Sequence, residues 1–190
     1  MSRLLIMGPP GAGKGTQAAL LAERIGVPAI STGDIFRANV GAGTPLGQQA
    51  QGFMDAGEYV PDEITNAMVR DRLNEDDARE GFLLDGYPRT VAQVEFLDDV
   101  LAEQGEHLDA VVELTVDTDE VVSRLVHRAQ DSNRSDDSED VIRHRQTVYA
   151  EQTAPLLDLF SDRGLLIQVN GDAPVETVND RMMTALGRSG

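Results

Sequence analysis

The only lysine in the chain, Lys14, closes the glycine-rich run Gly8-Pro9-Pro10-Gly11-Ala12-Gly13-Lys14-Gly15-Thr16. The spacing G-x-x-x-x-G-K is that of a phosphate-binding loop, in which backbone N–H groups point at a polyphosphate and a helix start adds partial positive charge. A lysine at its end reaches the outer phosphates, and a compact, flexible ammonium suits that task. Every other basic residue is an arginine. A glycine-rich turn with a solvated lysine is the bland alternative; the apolar run Leu4-Leu5-Ile6-Met7 before the loop and the helix-like segment from Gln17 after it favour the phosphate loop. The usual motif places Ser or Thr directly after the lysine as a magnesium ligand. Gly15 stands there and the hydroxyl belongs to Thr16, so the motif does not assign a direct threonine–magnesium bond.

Further residues suited to phosphate chemistry follow. Gly81-Phe82-Leu83-Leu84-Asp85 reads as a strand ending in a carboxylate, which a parallel sheet would bring beside the glycine loop, on the magnesium side. After Gly86-Tyr87-Pro88, Arg89 and Gln93 lie four apart at an expected helix start, where one face could hold a phosphate grip and a base-reading amide. Without the adjoining motif they would read as surface residues. Arg124 and Arg128 share an i, i+4 face, and a bound anion or nucleobase between them would offset their repulsion. A polar, unpatterned loop carries Arg134, and the next helix brings Arg143 and Arg145. Ser31-Thr32-Gly33-Asp34 fits a helix cap, with Arg37 one turn on; Asp34 there needs no role beyond starting the helix.

The elements that must position these groups alternate between strand and helix. Helices are expected over Ala18 to Ile25, stopped by Gly26; from Asp34; from Pro61-Asp62-Glu63 through Leu73; around Val121 to Val126; from about Ser138, bent or interrupted by Pro155; and from Pro174 to Leu186. Strands are expected at Val27 to Ile30, Ala110 to Leu114 and Leu165 to Val169. Such alternation predicts an α/β fold, a parallel sheet with helices on both faces and ligands at the strands' C-terminal edge. The stretch from Gly41 to Gly57, with five glycines and Pro45, suggests short helices loosely joined, an insertion and not a packed layer.

At 190 residues the chain fits one domain with insertions. It has no cysteine, hence no disulfide framework, thiolate nucleophile or cysteine zinc site. The N-terminal apolar run is too short for a signal peptide, and none approaches the ~20 residues of a membrane span, so the default is a soluble cytoplasmic protein. A net charge of −17 argues against nucleic-acid or membrane-surface partners. A polyanionic substrate then requires the few cations to be concentrated in one cleft.

In order, G-P-P-G-A-G-K-G-T-Q, S-T-G-D-I-F-R, V-P-D-E, D-G-Y-P-R-T and R-x-x-x-R followed by N-R-S-D-D and R-H-R resemble the motifs of adenylate kinases over nearly the whole chain. The resemblance implies a core of 1–30, 61–126 and 138–190, a helical AMP-binding segment at 31–60 and a short lid at 127–137. It implies that Gly11, Ala12, Gly13, Lys14, Gly15, Thr16, Arg124, Arg128 and Ala173 bind ATP. AMP would meet Thr32, Arg37, Glu58, Tyr59, Val60, Gly86, Tyr87, Pro88, Arg89, Gln93, Arg134 and Arg145. Lys14, Arg89, Arg128, Arg134 and Arg145 would act in catalysis, with Asp85 holding, through water, a magnesium ion carried by ATP. Long-lid relatives can carry a cysteine zinc site; neither the insertion nor the cysteines are here, so no zinc is expected. Asn133 replaces the usual glycine before the lid arginine, and Ser135 a residue often apolar.

The implied reaction is reversible phosphoryl transfer, ATP + AMP giving two ADP, by a monomer. An AMP phosphate oxygen is already a nucleophile at neutral pH, so alignment, charge neutralisation and exclusion of water suffice without a strong base, and the three histidines have no required role. Lid gating follows from the resemblance, adenylate kinase being a standard example of it. A regulatory nucleotide switch would not need the arginine-rich acceptor site, and a nucleotide-binding structural protein would show no turnover. Within the enzyme class the other reading is a pyrimidine monophosphate kinase, against which Thr32 and Gln93 speak.

Overall fold

A computed structural model describes residues 2–117, 121, 124–125 and 139–187. Five parallel strands form its sheet in the order β2-β3-β1-β4-β5: β1 (Arg3–Met7), β2 (Ala29–Ser31), β3 (Phe82–Asp85), β4 (Ala110–Thr115) and β5 (Leu166–Asn170). Alternate residues of the central strands enter two cores. Leu5, Met7, Leu84 and Val111 pack on one face, Leu4, Ile6, Leu83 and Val112 on the other. Strands covered on both faces explain the nearly continuous apolar runs in the sequence.

On the Leu4 face lie α1 (Lys14–Ile25) and the last helix, α8 (Val175–Ala185), with Leu21 and Met182 fully buried between helices and sheet. Gln17 and Asn179, buried where these helices meet, satisfy each other: Asn179 Nδ2 donates to Gln17 Oε1 at 3.1 Å, and Gln17 Nε2 donates to the Val175 carbonyl. On the opposite face lie α4 (Asp62–Leu73), α5 (Val91–Glu103) and α7 (Pro155–Asp162). Between α6 (Glu139–Val148) and α7 the backbone makes a π turn, Tyr149–Thr153, closed by Ala154 N–H on the Tyr149 carbonyl. The expected interruption at Pro155 therefore takes this form: proline has no N–H to continue the ladder, and the turn before it widens.

The stretch from Gly41 to Gly57 corrects the sequence reading. It is not a loose chain of short helices but a packed pair, α2 (Thr32–Ala42) and α3 (Pro45–Ala56), around Phe36, Ala50 and Val60. Both starts are capped: Ser31 Oγ accepts from Asp34 N–H and Thr44 Oγ1 from Gly47 N–H. Gly47 lies against the Asn39 backbone, where a Cβ would collide with the carbonyl. The glycines that read as flexibility permit close helix contact. Met68 of α4 touches both this cluster and the main core, joining the pair to the sheet.

Candidate active site

Strand order places the site. The chain leaves β1 toward β2 and β3 on one side and reaches β4 on the other, so a crevice opens beyond the C-terminal end of β1. Ligands of open α/β sheets bind at this kind of point. The glycine loop fills it. Gly8 needs its missing side chain, since a Cβ would lie 2.7 Å from the Leu114 carbonyl oxygen, and its φ of +143° disfavours other residues. Gly13 caps α1 without a side-chain bond, so the helix opens toward the loop with its first N–H groups uncovered by a cap. Lys14 Nζ curls over the loop and donates to the carbonyls of Gly8, at 2.8 Å, and Pro9, at 3.1 Å. Its charge is thereby held above the loop before any anion arrives. Thr16 is exposed on the first turn.

Asp85 ends β3 at the level of Ile6 and Ser31, and its Oδ2 lies 3.7 Å from where a Cβ on Gly15 would stand. The expected juxtaposition of this carboxylate with the loop is present. Arg124 reaches the loop from the other side, with Nη1 3.4 Å from the Ala12 carbonyl oxygen and Nη2 3.3 Å from that of Gly171. This brings Ala12, Arg124 and the segment leading to half-buried Ala173 to one place.

A cleft runs from the loop to the α2–α3 pair, lined by Lys14, Arg37, Arg89 and Arg145, with Thr32, Glu58, Tyr59, Val60, Gly86, Tyr87, Pro88 and Gln93 among its other walls. Four cations therefore converge in a chain of net charge −17. Among the described residues Glu58 is its one lining carboxylate, and Glu58 Oε1 sits 2.6 Å from His144 Nε2. Arg37 pairs with Asp34 at 2.6 Å, which gives that carboxylate a partner beyond the helix cap. Arg128 and Arg134, with the segment 127–137 expected to form a lid, lie outside the described residues.

Arg89 differs from the sequence expectation in one respect. Thr90 caps α5, so Arg89 precedes the helix and shares no helical face with Gln93. The two meet through hydrogen bonds instead: Gln93 Oε1 accepts from Arg89 N–H at 2.7 Å, and Gln93 Nε2 donates to Asp62 Oδ1 at 2.8 Å. Arg89 Nε donates to the Gly86 carbonyl at 2.7 Å, an oxygen that also accepts from the Thr32 hydroxyl at 3.0 Å. The guanidinium stacks 4.8 Å from the Tyr59 ring centre.

Three residues of the α6 region were missed by sequence reasoning. Gln146 Nε2 donates to the Pro10 carbonyl at 2.8 Å, across to the glycine loop. Thr153 Oγ1 donates to the Arg89 carbonyl at 2.9 Å and lies 2.7 Å from Tyr59 Oη. Tyr149 lines the cleft, its hydroxyl buried without a hydrogen-bond partner among the described residues. Burial first, and then the neighbouring Glu113 and Tyr59, push the Tyr149 hydroxyl pKa well up, so it stays protonated. Tyr87 is raised by burial and by Asp62, while its hydroxyl donates to Asn66 Oδ1 at 2.7 Å.

This geometry can hold two phosphate groups, one on the glycine loop and one among the arginines, with groups placed to read what each is attached to. A family model described as "Adenylate kinase" matches residues 6–165. An adenylate kinase of Thermobifida fusca is 61% identical over 184 residues, 97% of each protein. One of Kocuria rhizophila is 61% identical over 188 residues, 99% of this chain and 100% of its own. One of a Nocardioides species is 63% identical over 184 residues, 97% of this chain and 96% of its own. The α/β fold with its phosphate loop and the motifs in register agree with these matches, and the chain belongs to the adenylate kinase family.

Proposed function

We propose that the chain transfers the γ-phosphoryl group of ATP to the phosphate of AMP, reversibly, giving two ADP. The observation that carries this reading is the single cleft in which Lys14, over the glycine loop, faces Arg37, Arg89 and Arg145. A hydrolase needs one phosphate site; a kinase acting on a nucleotide monophosphate needs two, in line. ATP phosphates sit on Gly11 to Thr16, with the adenine toward Arg124 and Ala173. AMP sits between Thr32, Arg37, Glu58 to Val60 and Gly86 to Arg89, its base toward Gln93. Arg128, Arg134 and Arg145 clamp the phosphates when 127–137 closes, and 31–60 moves as the acceptor segment. Its own small core of Phe36, Ala50 and Val60 suits movement as a unit.

The chemistry requires no general base from the protein. Lys14 and the arginines hold donor and acceptor in line, neutralise charge as it redistributes over the transferring oxygens, and displace water that would otherwise accept the phosphoryl group. Magnesium carried by ATP supplies charge neutralisation between the phosphates. The residues fit it: Asp85 is a half-buried hard oxygen donor beside the loop, suited to holding the ion's water shell. The described residues include no cluster of three His, Cys, Asp or Glu side chains that could hold a metal by themselves, and the reading includes no zinc. None of the described helices is long and apolar enough to cross a membrane. The reading places the enzyme in the cytoplasm as a monomer, since one chain supplies both nucleotide sites.

The test is ADP formation from ATP with AMP, CMP, UMP or no acceptor. Strong preference for AMP and negligible hydrolysis are expected. Phosphate release independent of acceptor would favour a nucleotide switch, and equal use of CMP and AMP a pyrimidine kinase.

A further inference from the structure

We propose that Thr153 is a positioning residue for the acceptor phosphate, acting through Arg89. The inference rests on the reading above, in which Arg89 grips that phosphate.

Thr153 is 4% exposed, and it stands at the end of the π turn where α6 gives way to α7. A hydroxyl has one proton. Thr153 gives it to the Arg89 carbonyl oxygen at 2.9 Å, so in the 2.7 Å contact with Tyr59 the phenol is the donor and Thr153 the acceptor. The relay runs Tyr59 Oη–H to Thr153 Oγ1–H to Arg89 C=O. Because the Tyr59 ring lies under the Arg89 guanidinium, the relay closes on itself. Thr153 thus fixes the backbone of Arg89 and the ring beneath its charged end.

The remaining freedom of Arg89 is small. Its N–H is held by Gln93 Oε1 and its Nε by the Gly86 carbonyl. With Nε engaged, the terminal edge, Nη1 and Nη2, is presented for a bidentate grip on phosphate. Removing the Thr153 hydroxyl would leave the Arg89 carbonyl and the Tyr59 hydroxyl without this partner and loosen both at once. Tyr59 belongs to the acceptor segment while Thr153 belongs to the frame, so the same contact seats that segment on the frame at the point where the phosphate binds. Widening of the helix at a π turn often accompanies functional sites, and here it delivers a hydroxyl to the arginine.

The experiment measures binding of AMP and of adenosine, without ATP, to the full chain and to Thr153→Val, Thr153→Ser, Arg89→Ala and the double variant Arg89→Ala/Thr153→Val. Thermal unfolding confirms that each is folded; Thr153→Ala replaces valine if that variant does not fold, with the same expectation. Thr153→Val should weaken AMP binding about tenfold, the size of one lost hydrogen bond in the grip. Adenosine, which has no phosphate, should bind as before. Thr153→Ser should restore AMP binding, and the double variant should bind AMP no worse than Arg89→Ala. Equal weakening of AMP and adenosine, or no change in either, overturns the proposal. If Arg89→Ala weakens AMP and Thr153→Val does not, the proposal alone fails. If Arg89→Ala leaves AMP binding unchanged, the assignment of Arg89 to the phosphate fails with it.

Discussion

The side-chain amide of Gln93 is held by Asp62: Nε2 donates to Asp62 Oδ1 at 2.8 Å, while Oε1 accepts from the Arg89 backbone. Gln93 is 1% exposed, so these bonds fix which way the amide faces before a base arrives. An amide nitrogen has two protons and its oxygen two lone pairs, which leaves one of each for an adenine edge. The Thr90 hydroxyl, 3.1 Å from the same Asp62 oxygen, helps hold that carboxylate.

Asp62→Ala should therefore narrow the preference for AMP over CMP almost as much as Gln93→Ala does. An unsatisfied or misdirected buried polar group costs ~1–3 kcal/mol, or roughly ten- to hundredfold in discrimination. Transfer itself should survive in both variants. The check is kcat/KM for AMP and CMP at fixed ATP; an Asp62→Ala enzyme with parental discrimination would show that Gln93 needs no help in facing the base.

Replacing Lys14 by Met should leave the fold intact and nearly abolish transfer. Lys14 is half-buried on the loop, where it donates to the carbonyls of Gly8 and Pro9, and the two cores of the sheet are built from other residues. Loss of one preorganised electrostatic group typically raises a barrier by ~2.7–4 kcal/mol, roughly a hundred- to a thousandfold in rate. Unfolding temperature and kcat measured together decide it: a folded Lys14→Met protein with near-normal kcat would remove Lys14 from the chemistry.

Local pattern was enough for the parts of the site that lie on the chain's own punctuation. The glycine loop, the carboxylate ending β3 and the Ser31 cap are each set by neighbours within a few residues, and they stand where the spacing put them. The α2–α3 pair was misread because glycine signals equally a flexible link and a surface for close packing; Gly47 is the second, and only the position of Asn39 decides it. Arg89 was placed on a helix because the signal for a start, Thr90, allows the residue before it to be counted either way. Gln146 and Thr153 act across 136 and 64 residues of sequence, beyond any local window. One signal for Thr153 was available. With Leu156 and Phe160 it shares a buried helical face, three and seven residues apart, and a hydroxyl in such a stripe must find a partner inside.

Tyr87, a buried residue, and Tyr149, half-buried with a buried hydroxyl, should respond oppositely to loss of their hydroxyls. Tyr87 donates to Asn66 and lies 3.2 Å from the Gln93 carbonyl, so Tyr87→Phe should destabilise by about 1 kcal/mol. Tyr149 has no partner for its hydroxyl among the described residues, so Tyr149→Phe should be neutral or slightly stabilising. Denaturant unfolding at neutral pH distinguishes the two.

Both tyrosines also set an alkaline limit. Each hydroxyl has its pKa raised in the folded state, chiefly by burial, so the folded protein holds these protons more tightly than the unfolded chain. Stability from this source is fully present below the ordinary tyrosine range near 10 and declines as pH rises above it toward the folded values. Either Phe variant should lose stability less steeply than the parent between about pH 9.5 and 11, where unfolded tyrosine titrates. Parallel slopes in parent and variants would mean that neither proton is held more tightly in the folded state.

Gln146 and Thr153 stand seven residues apart on either side of Tyr149, and they reach opposite ends of the cleft. Gln146 holds the Pro10 carbonyl of the glycine loop, whereas Thr153 holds the Arg89 carbonyl, on the side proposed for the acceptor. Gln146→Ala should therefore act on ATP. Losing a single hydrogen bond to the loop backbone is worth ~0.5–1.5 kcal/mol, a two- to tenfold rise in KM for ATP, because a looser Pro10 leaves the loop less ordered before the phosphates bind. If the loop regains its shape once the phosphates are seated, kcat should change less than KM, as for an interaction made equally in ground and transition states. The KM for AMP should stay within twofold of the parent. Initial rates over a matrix of ATP and AMP concentrations separate these terms. A rise confined to the AMP term would place the influence of Gln146 on the wrong side of the cleft, and equal rises in both would mean that α6 supports the two nucleotide sites as one rigid block.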